Sequence, residues 1–378
     1  MKFRCYCIFI AVAILLFLYR SASVSAEETQ ASVHHYASAL MEAESGTLLG
    51  GTDSDVQVPI GSLTKLMTVY LAAEAVAEGS LTLQTQLTAP PSAQEVHGAV
   101  IWLTSGEKMS VEDLLKAVII GNANDAAVTL AIQLAGSLSN FVGEMNAAAF
   151  SLEMRSTRFA DCTGESAENL STARDIAKLC RILLKYEFLR PAFTTWRTFL
   201  RDGKTELVSE NTLTRTYEGI LGCKAGHGDA CGYTLAIAAK SEKMCCIAVV
   251  LGCDEEQERF TYGKNLLANG FSNFCVTTPD FQTEFLRPLP VAHGNAASVC
   301  LCTDALLSIA APIGAELSGI VVLPKYAEAP VRKGQPLGTV AVYCGDSLVY
   351  EVPLLAADSV SRRSFLDSFA VLLENLFK

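Results

Sequence analysis

Ser62 and Lys65 stand one helical turn apart in the run Val58-Pro59-Ile60-Gly61-Ser62-Leu63-Thr64-Lys65-Leu66-Met67-Thr68. After Gly61 the apolar residues Leu66, Met67, Val69, Tyr70, Leu71 and Val76 follow a helical period, and Gly79 supplies a stop, so Ser62 is predicted at a helix start. That spacing puts the hydroxyl and the amine on one face. A hydroxyl becomes a nucleophile when a neighbour takes its proton, and the N–H groups of a first helical turn favour the negative charge that then develops. A serine N-cap followed by a surface lysine has the same spelling, so the pair must be weighed with the rest of the chain.

Two further polar sets interrupt apolar surroundings. Ser110-Val111-Glu112-Asp113 caps a predicted helix through Leu114, Leu115, Val118 and Ile120, which runs into Gly121-Asn122-Ala123-Asn124-Asp125 before a second helix continues to about Leu134. A polar knot between apolar helices is costly unless it is used; its plain alternative is a cap at Asn124 or Asp125. Lys224-Ala225-Gly226 then precedes a predicted strand, Tyr233 to Ala239. A lysine at a strand rim beside glycines can hold an anionic group, and the alternative is an edge lysine that blocks aggregation.

The elements that must position these residues mix strands and helices. Ser38 to Leu49 reads as a hairpin turning at Ser45-Gly46, and Gly98 to Thr104 as a strand. Ser171-Thr172-Ala173-Arg174-Asp175 opens a helix through Leu184, Arg201-Asp202-Gly203-Lys204 makes a hairpin turn, and Cys245 to Leu251 is a strand followed by a helix from Asp254 to Leu267. A sheet flanked by helices follows, an α/β (α+β) class domain. From Val276 short alternating strands take over, with turns at Val331-Arg332-Lys333-Gly334-Gln335 and Cys344-Gly345-Asp346. This reads as a small all-β domain without a concentrated catalytic set. In the last stretch, Ser361 to Lys378, Phe365, Phe369, Leu372, Leu373 and Leu376 gather on one helical face opposite Asp367 and Glu374, an amphipathic helix suited to lie in a membrane interface.

The chain has 378 residues, half of them hydrophobic, enough for a full core and more than one domain. Lys2 and Arg4, the apolar run Ile8 to Leu18 and Val24-Ser25-Ala26 read as a signal peptide cleaved after Ala26. Its removal takes away three basic residues and no acid, so the formal charge falls from −11 to −14. Such an acidic exported chain is a poor nucleic-acid partner. Cys5 and Cys7 lie in the signal; the remaining cysteines, Cys245, Cys246 and Cys300 among them, sit largely in apolar runs without zinc spacing and read as small buried hydrophobes. Neither a metal nor a cofactor site is predicted, and the five histidines, His34, His35, His97, His227 and His293, form no ligand spacing.

In order and spacing, Ser62-x-x-Lys65, Asn122-Ala123-Asn124 and Lys224-Ala225-Gly226 resemble the S-x-x-K, S-x-N and K-T-G motifs of the penicillin-binding D-alanyl-D-alanine carboxypeptidase family. The likeness extends through Leu40 to Glu74, Trp102 to Ala127, Phe159 to Gly164, Ser171 to Asp175, Arg201 to Glu206 and Ala230-Cys231-Gly232-Tyr233, and the β domain and amphipathic tail match the family layout. The resemblance implies a serine β-lactamase/transpeptidase-like catalytic domain over 27–275, after the signal at 1–26, with the β-rich domain at 276–357 and a membrane-associating tail at 358–378. It implies an enzyme at the outer face of the cytoplasmic membrane that trims peptidoglycan stem peptides and is inhibited by β-lactams. By the same resemblance Ser62 is the nucleophile, Lys65 the base, and Asn124 orients the substrate amide. Lys224, with Asn122, Gly226 and Arg259, binds substrate and its terminal carboxylate, and the backbone N–H groups of Ser62 and His227 form the oxyanion hole.

Three positions depart from the family pattern: Asn122 replaces a serine, Ala225 a threonine and Gly228 a threonine. Asn122 can hydrogen-bond but cannot relay a proton, and Ala225 lacks a hydroxyl donor. Losing a hydrogen bond to a charged group is worth roughly 1.5–3 kcal/mol, about ten- to a hundred-fold in rate for each change. A low-turnover relative that binds peptidoglycan or penicillin is therefore one alternative. A β-lactamase is another, since Glu165-Ser166-Ala167-Glu168-Asn169 mimics the E-x-x-x-N of those enzymes.

Overall fold

A computed structural model describes residues 36–242, 244–278, 287–303, 309–364 and 369. The expected signal peptide and most of the expected amphipathic tail lie outside these residues. Among the described residues no single helix is long and apolar enough to cross a membrane.

The predicted N-terminal hairpin forms as strands Ala37–Glu42 and Leu48–Gly50, and it joins three long strands from much later in the chain. The resulting five-stranded antiparallel sheet runs Leu48–Gly50, Ala37–Glu42, Cys245–Cys253, Gly232–Lys240, Ile220–Gly228. Alternation along its strands divides the core: Ala236, Ala238, Ile247 and Val249 face one layer, while Leu235, Ile237, Ala248 and Val250 face the other. Both sides are covered, and the central strands have no solvent-facing polar set.

Behind the sheet lies helix Glu256–Asn273, opened by a capping box between Glu255 and Glu258. Gly263 brings this helix against Leu235 and Ile237, where a Cβ would come within 2.8 Å of Leu235. In front lie helices Lys65–Ala77 and Ala173–Leu183, the latter capped by Thr172 Oγ1 accepting from Asp175 N. Helices Val111–Ile119, Asn124–Ala135 and Leu138–Ser151 complete this helical layer; Ser110 caps the first as predicted, accepting from Asp113 N.

The segment Gly98 to Thr104, expected as a strand, is not one. Its Ile101 and Leu103 N–H groups donate to the buried Asp125 carboxylate at 2.9–3.2 Å instead of to a neighbouring strand, and Trp102, at φ 59°, breaks the extended path. Alternation of Ile101 and Leu103 is produced here by one carboxylate, not by a ladder.

Strand Phe274–Thr277 carries the chain from the last helix into the β-rich part and pairs with Ile309–Pro312. Beyond it, a four-stranded sheet is built mainly from Leu317–Val322, Pro336–Cys344 and Ser347–Ala356. A three-stranded sheet centres on Leu289–Ala292, and each sheet has its own apolar cluster.

Candidate active site

Gly61–Thr64 forms a 3-10 turn that leads directly into helix Lys65–Ala77, so Ser62 sits at the head of a long buried helix. The residue is 9 % exposed, and its hydroxyl accepts a hydrogen bond from Asn122 Nδ2 at 3.2 Å. Lys65, one turn further on, is 2 % exposed, and its ammonium donates to the Thr163 carbonyl at 2.6 Å. Burial pushes the Lys65 pKa down to about 7, with the positive charge of Lys224 as a second cause. At neutral pH a large share of Lys65 is therefore an amine able to accept a proton.

The carbonyl that holds Lys65 belongs to a tight loop organised by Asp161. Its carboxylate accepts from the N–H groups of Thr163, Gly164 and Ser166 at 2.5–2.7 Å and from Asn169 Nδ2 at 3.0 Å. Burial by itself would raise this carboxyl, but the backbone donors outweigh it and hold the pKa below the usual carboxylate value. Gly164, at φ 89°, lies flat against the Gly61 carbonyl, where any Cβ would overlap it. Loop and Ser62 turn are thus in backbone contact.

Strand Ile220–Gly228 closes the other side. Gly226 passes directly over the nucleophile: a Cβ there would stand 2.8 Å from Ser62 Cβ. Lys224, 3 % exposed, reaches across to the C-terminal carbonyls of helix Val111–Ile119, Val118 O at 3.1 Å and Ile119 O at 3.4 Å. Burial lowers its pKa to about 8. Just past that helix end, Asn122 adopts a left-handed φ of 56°, a conformation asparagine tolerates better than most residues, and this turns its amide toward Ser62. Asn124 is the first residue of the next helix; its Nδ2 donates to His97 O at 2.7 Å and to Glu165 Oε1 at 2.6 Å.

A family model described as D-alanyl-D-alanine carboxypeptidase matches residues 23–255, well over half of the chain. The chain belongs to the D-alanyl-D-alanine carboxypeptidase family. A second model, the C-terminal domain of penicillin-binding protein 5, matches residues 289–362, the separate β-rich part. The D-alanyl-D-alanine carboxypeptidase DacF of Bacillus subtilis is 30 % identical over 353 residues, 91 % of each chain. Penicillin-binding protein 5 of Haemophilus influenzae has a similar solved structure, with a TM-score of 0.76 at 26 % identity over 89 % of this chain and all of that one. Penicillin-binding protein D2 of Listeria monocytogenes, solved in a cefotaxime-bound form, is 30 % identical over 62 % of this chain and 96 % of its own, with a TM-score of 0.57.

The structure gathers the motif residues around Ser62: Asn122 donates to its hydroxyl, Gly226 passes over its Cβ, Lys65 and Lys224 are buried close enough for the Lys224 charge to lower the Lys65 pKa, and Asn124 is joined to the Glu165 loop. His227 stands at the mouth, its side chain 60 % exposed and stacked on Tyr233. The Arg259 guanidinium is 1 % exposed and donates to Gly226 O at 2.6 Å and to Glu256 at 3.0 Å, bracing the strand that carries Lys224, while its Nε has no hydrogen-bond partner. Ala225, also buried, belongs to the apolar cluster that contains Leu235 and Phe260. Glu210, which no sequence motif marks, also lies here: Oε1 accepts from Asn122 Nδ2 at 3.2 Å, and Oε2 lies 3.5 Å from His227 Nδ1. Asn169, 0 % exposed, is a staple of the loop, accepting from Ala160 N and donating to Ser166 O. Among the described residues no group of three or more His, Cys, Asp or Glu side chains is placed to hold a metal ion.

Proposed function

We propose that this family member is a serine-type D-alanyl-D-alanine carboxypeptidase acting through Ser62. The observation that carries the reading is a buried lysine with a pKa near 7, one turn from a serine whose hydroxyl already receives a donor from Asn122. Neutral Lys65 takes the Ser62 proton as Oγ attacks the penultimate D-Ala carbonyl of a peptidoglycan stem peptide. The C–N bond breaks, the proton passes to the departing D-Ala amine, and water hydrolyses the ester. Asn122 Nδ2 stabilises the attacking oxygen, the Ser62 and His227 N–H groups receive the oxyanion, and Lys224 adds a positive field. Because Asn124 spends Nδ2 on His97 and Glu165, its Oδ1 is the atom that orients the substrate amide N–H.

The same reading assigns 1–26 to an export signal, 27–275 to the catalytic domain, 276–357 to the β-rich domain and 358–378 to a tail that rests on the outer face of the cytoplasmic membrane. Deleting residues 361–378 should release the protein from sedimenting membranes; unchanged sedimentation counts against the tail.

Incubation with labelled penicillin and with a pentapeptide ending in D-Ala-D-Ala tests the reaction. Adduct mass on Ser62 and free D-Ala are expected, both lost in Ser62→Ala. Adduct without D-Ala release favours a low-turnover binder, and rapid drug hydrolysis favours a β-lactamase. No adduct and no D-Ala from the wild-type chain refutes the nucleophile.

A further inference from the structure

Glu165 is an exposed carboxylate one residue past the point where its loop touches the Ser62 turn. Two residues before it, the Thr163 carbonyl accepts from the Lys65 ammonium, and immediately before it Gly164 lies so close that a Cβ would stand 3.0 Å from Ser62 N. Glu165 Oε1 accepts from Asn124 Nδ2 at 2.6 Å. Gly98, at φ 81°, leaves this pair uncovered: a Cβ there would stand 3.0 Å from both atoms. Among the described residues no cation meets Glu165, although Glu168 in the same loop pairs with Arg158 at 3.5 Å. Asn169, the other half of the E-x-x-x-N spelling, is spent on Ala160, Asp161 and Ser166 and is not its partner.

A carboxylate fixed in place without a cation is complemented by one that the ligand brings. Asn124 fixes where that cation sits, because its side-chain amide has two ends: Oδ1 orients the amide N–H of the penultimate D-Ala, and Nδ2 holds Glu165. That substrate amide joins the penultimate D-Ala to the residue before it, so the side chain of the preceding residue starts one amide group away from Glu165. A four-carbon stem ending in an ammonium spans such a gap. We propose that Glu165 is a specificity residue of this site, receiving a free side-chain ammonium on the residue that precedes D-Ala-D-Ala. Stem peptides whose amine is acylated, as in a cross-link, lose the pair, so free stems are favoured as substrates. The proposal rests on the acyl-transfer reading of Ser62 and adds no bond change to it.

The full chain is assayed on Nα-acetyl-L-Lys-D-Ala-D-Ala, whose side-chain amine is free, and on the diacetylated peptide, whose amine is blocked, with kcat/KM taken from the released D-Ala. An exposed ion pair supports about a three- to five-fold preference, so the wild-type chain should favour the free amine by that factor, and the preference should fade in high salt. Glu165→Gln keeps an acceptor for Asn124 Nδ2 and removes the charge, so the ratio of the two peptides should fall to about one. Equal wild-type rates, or a preference that survives Glu165→Gln, overturns the proposal and leaves Glu165 as a support for Asn124. Benzylpenicillin labelling of Ser62 separates the two levels, and the concentration of each peptide that halves labelling gives the same ratio without turnover. With labelling intact, equal wild-type values for the two peptides sink the specificity alone; without labelling and without cleavage of either peptide, the acyl-transfer reading falls and takes the specificity with it.

Discussion

Acylation of Ser62 should follow a narrow bell in pH, because two buried lysines are needed in opposite protonation states. Burial brings Lys65 from 10.5 to about 7 and Lys224 from 10.5 to about 8. Lys65 must be neutral to take the serine proton, and Lys224 must be charged to support an anionic substrate. The product of the two fractions rises about six-fold from pH 6 to 7.5 and falls about six-fold by pH 9, with the apparent values belonging to the pair. Lysines at their ordinary pKa would instead give about a hundred-fold monotonic rise between pH 6 and 8. Replacing Lys224 by Gln removes the second cause of the Lys65 shift. The rising limb should then move to higher pH, by up to about one unit because burial still dominates, and the falling limb should vanish. Stopped-flow acylation by fluorescent penicillin measures both limbs, and their positions do not depend on the height of the plateau. A flat profile from pH 6 to 9, or a rising limb that moves down in Lys224→Gln, would refute the assignment of Lys65 as the base.

Lys65→Met should abolish acylation yet raise the melting temperature at pH 6. Between pH 7 and 10.5 the unfolded chain binds more protons at Lys65 than the folded one, so wild-type stability rises with pH there and the penalty is fullest below pH 7, about 5 kcal/mol. Less about 1–3 kcal/mol for the lost bond to Thr163, the gain of several degrees at pH 6 should shrink toward pH 10.5 in calorimetry. In Gly226→Ala the new Cβ meets Ser62 Cβ at 2.8 Å, and labelling should fall about a hundred-fold while the sheet stays folded by circular dichroism. Removing the loop hub with Asp161→Ala should lower stability by about 2–4 kcal/mol and move the Lys65 limb of the pH profile to lower pH, because the Asp161 charge raises the Lys65 pKa. Its depressed carboxyl contributes stability above the ordinary value of 3.8 that is lost as pH falls through the folded value, so the acid limb of denaturation should flatten in the variant.

The parts of the site that were legible in sequence are those whose geometry is local. One turn of helix relates Ser62 to Lys65, and one strand relates Lys224 to Gly226, so spacing alone nearly determines their relation. The same holds for the Ser110 and Thr172 caps and for the N-terminal hairpin. What spacing could not supply is any group delivered by a loop from a distant part of the chain. Glu210 lies in Ser209-Glu210-Asn211, a polar stretch with no period, and its meaning comes only from the Asn122 amide that another helix end turns toward it. Arg259 shows the converse. Its place in the order of motifs was readable, but the guanidinium is drawn beneath the strand by the Gly226 carbonyl, and nothing in Glu255-Glu256-Gln257-Glu258-Arg259 reports on that. Gly98 to Thr104 carries a strand-like alternation for a related reason, since a single buried Asp125 imposes the alternation that a sheet would. These cases share one physical cause. A motif residue is held by its own element, whereas the carboxylates that tune the site act at a distance and through other side chains, and their sign of charge matters more than their position. Asn122 joins the two kinds. Serine in its place could not bridge Ser62 and Glu210 with one amide, so the departure from the family motif and the unexpected carboxylate are best understood as one arrangement, and substituting either should change what the other does.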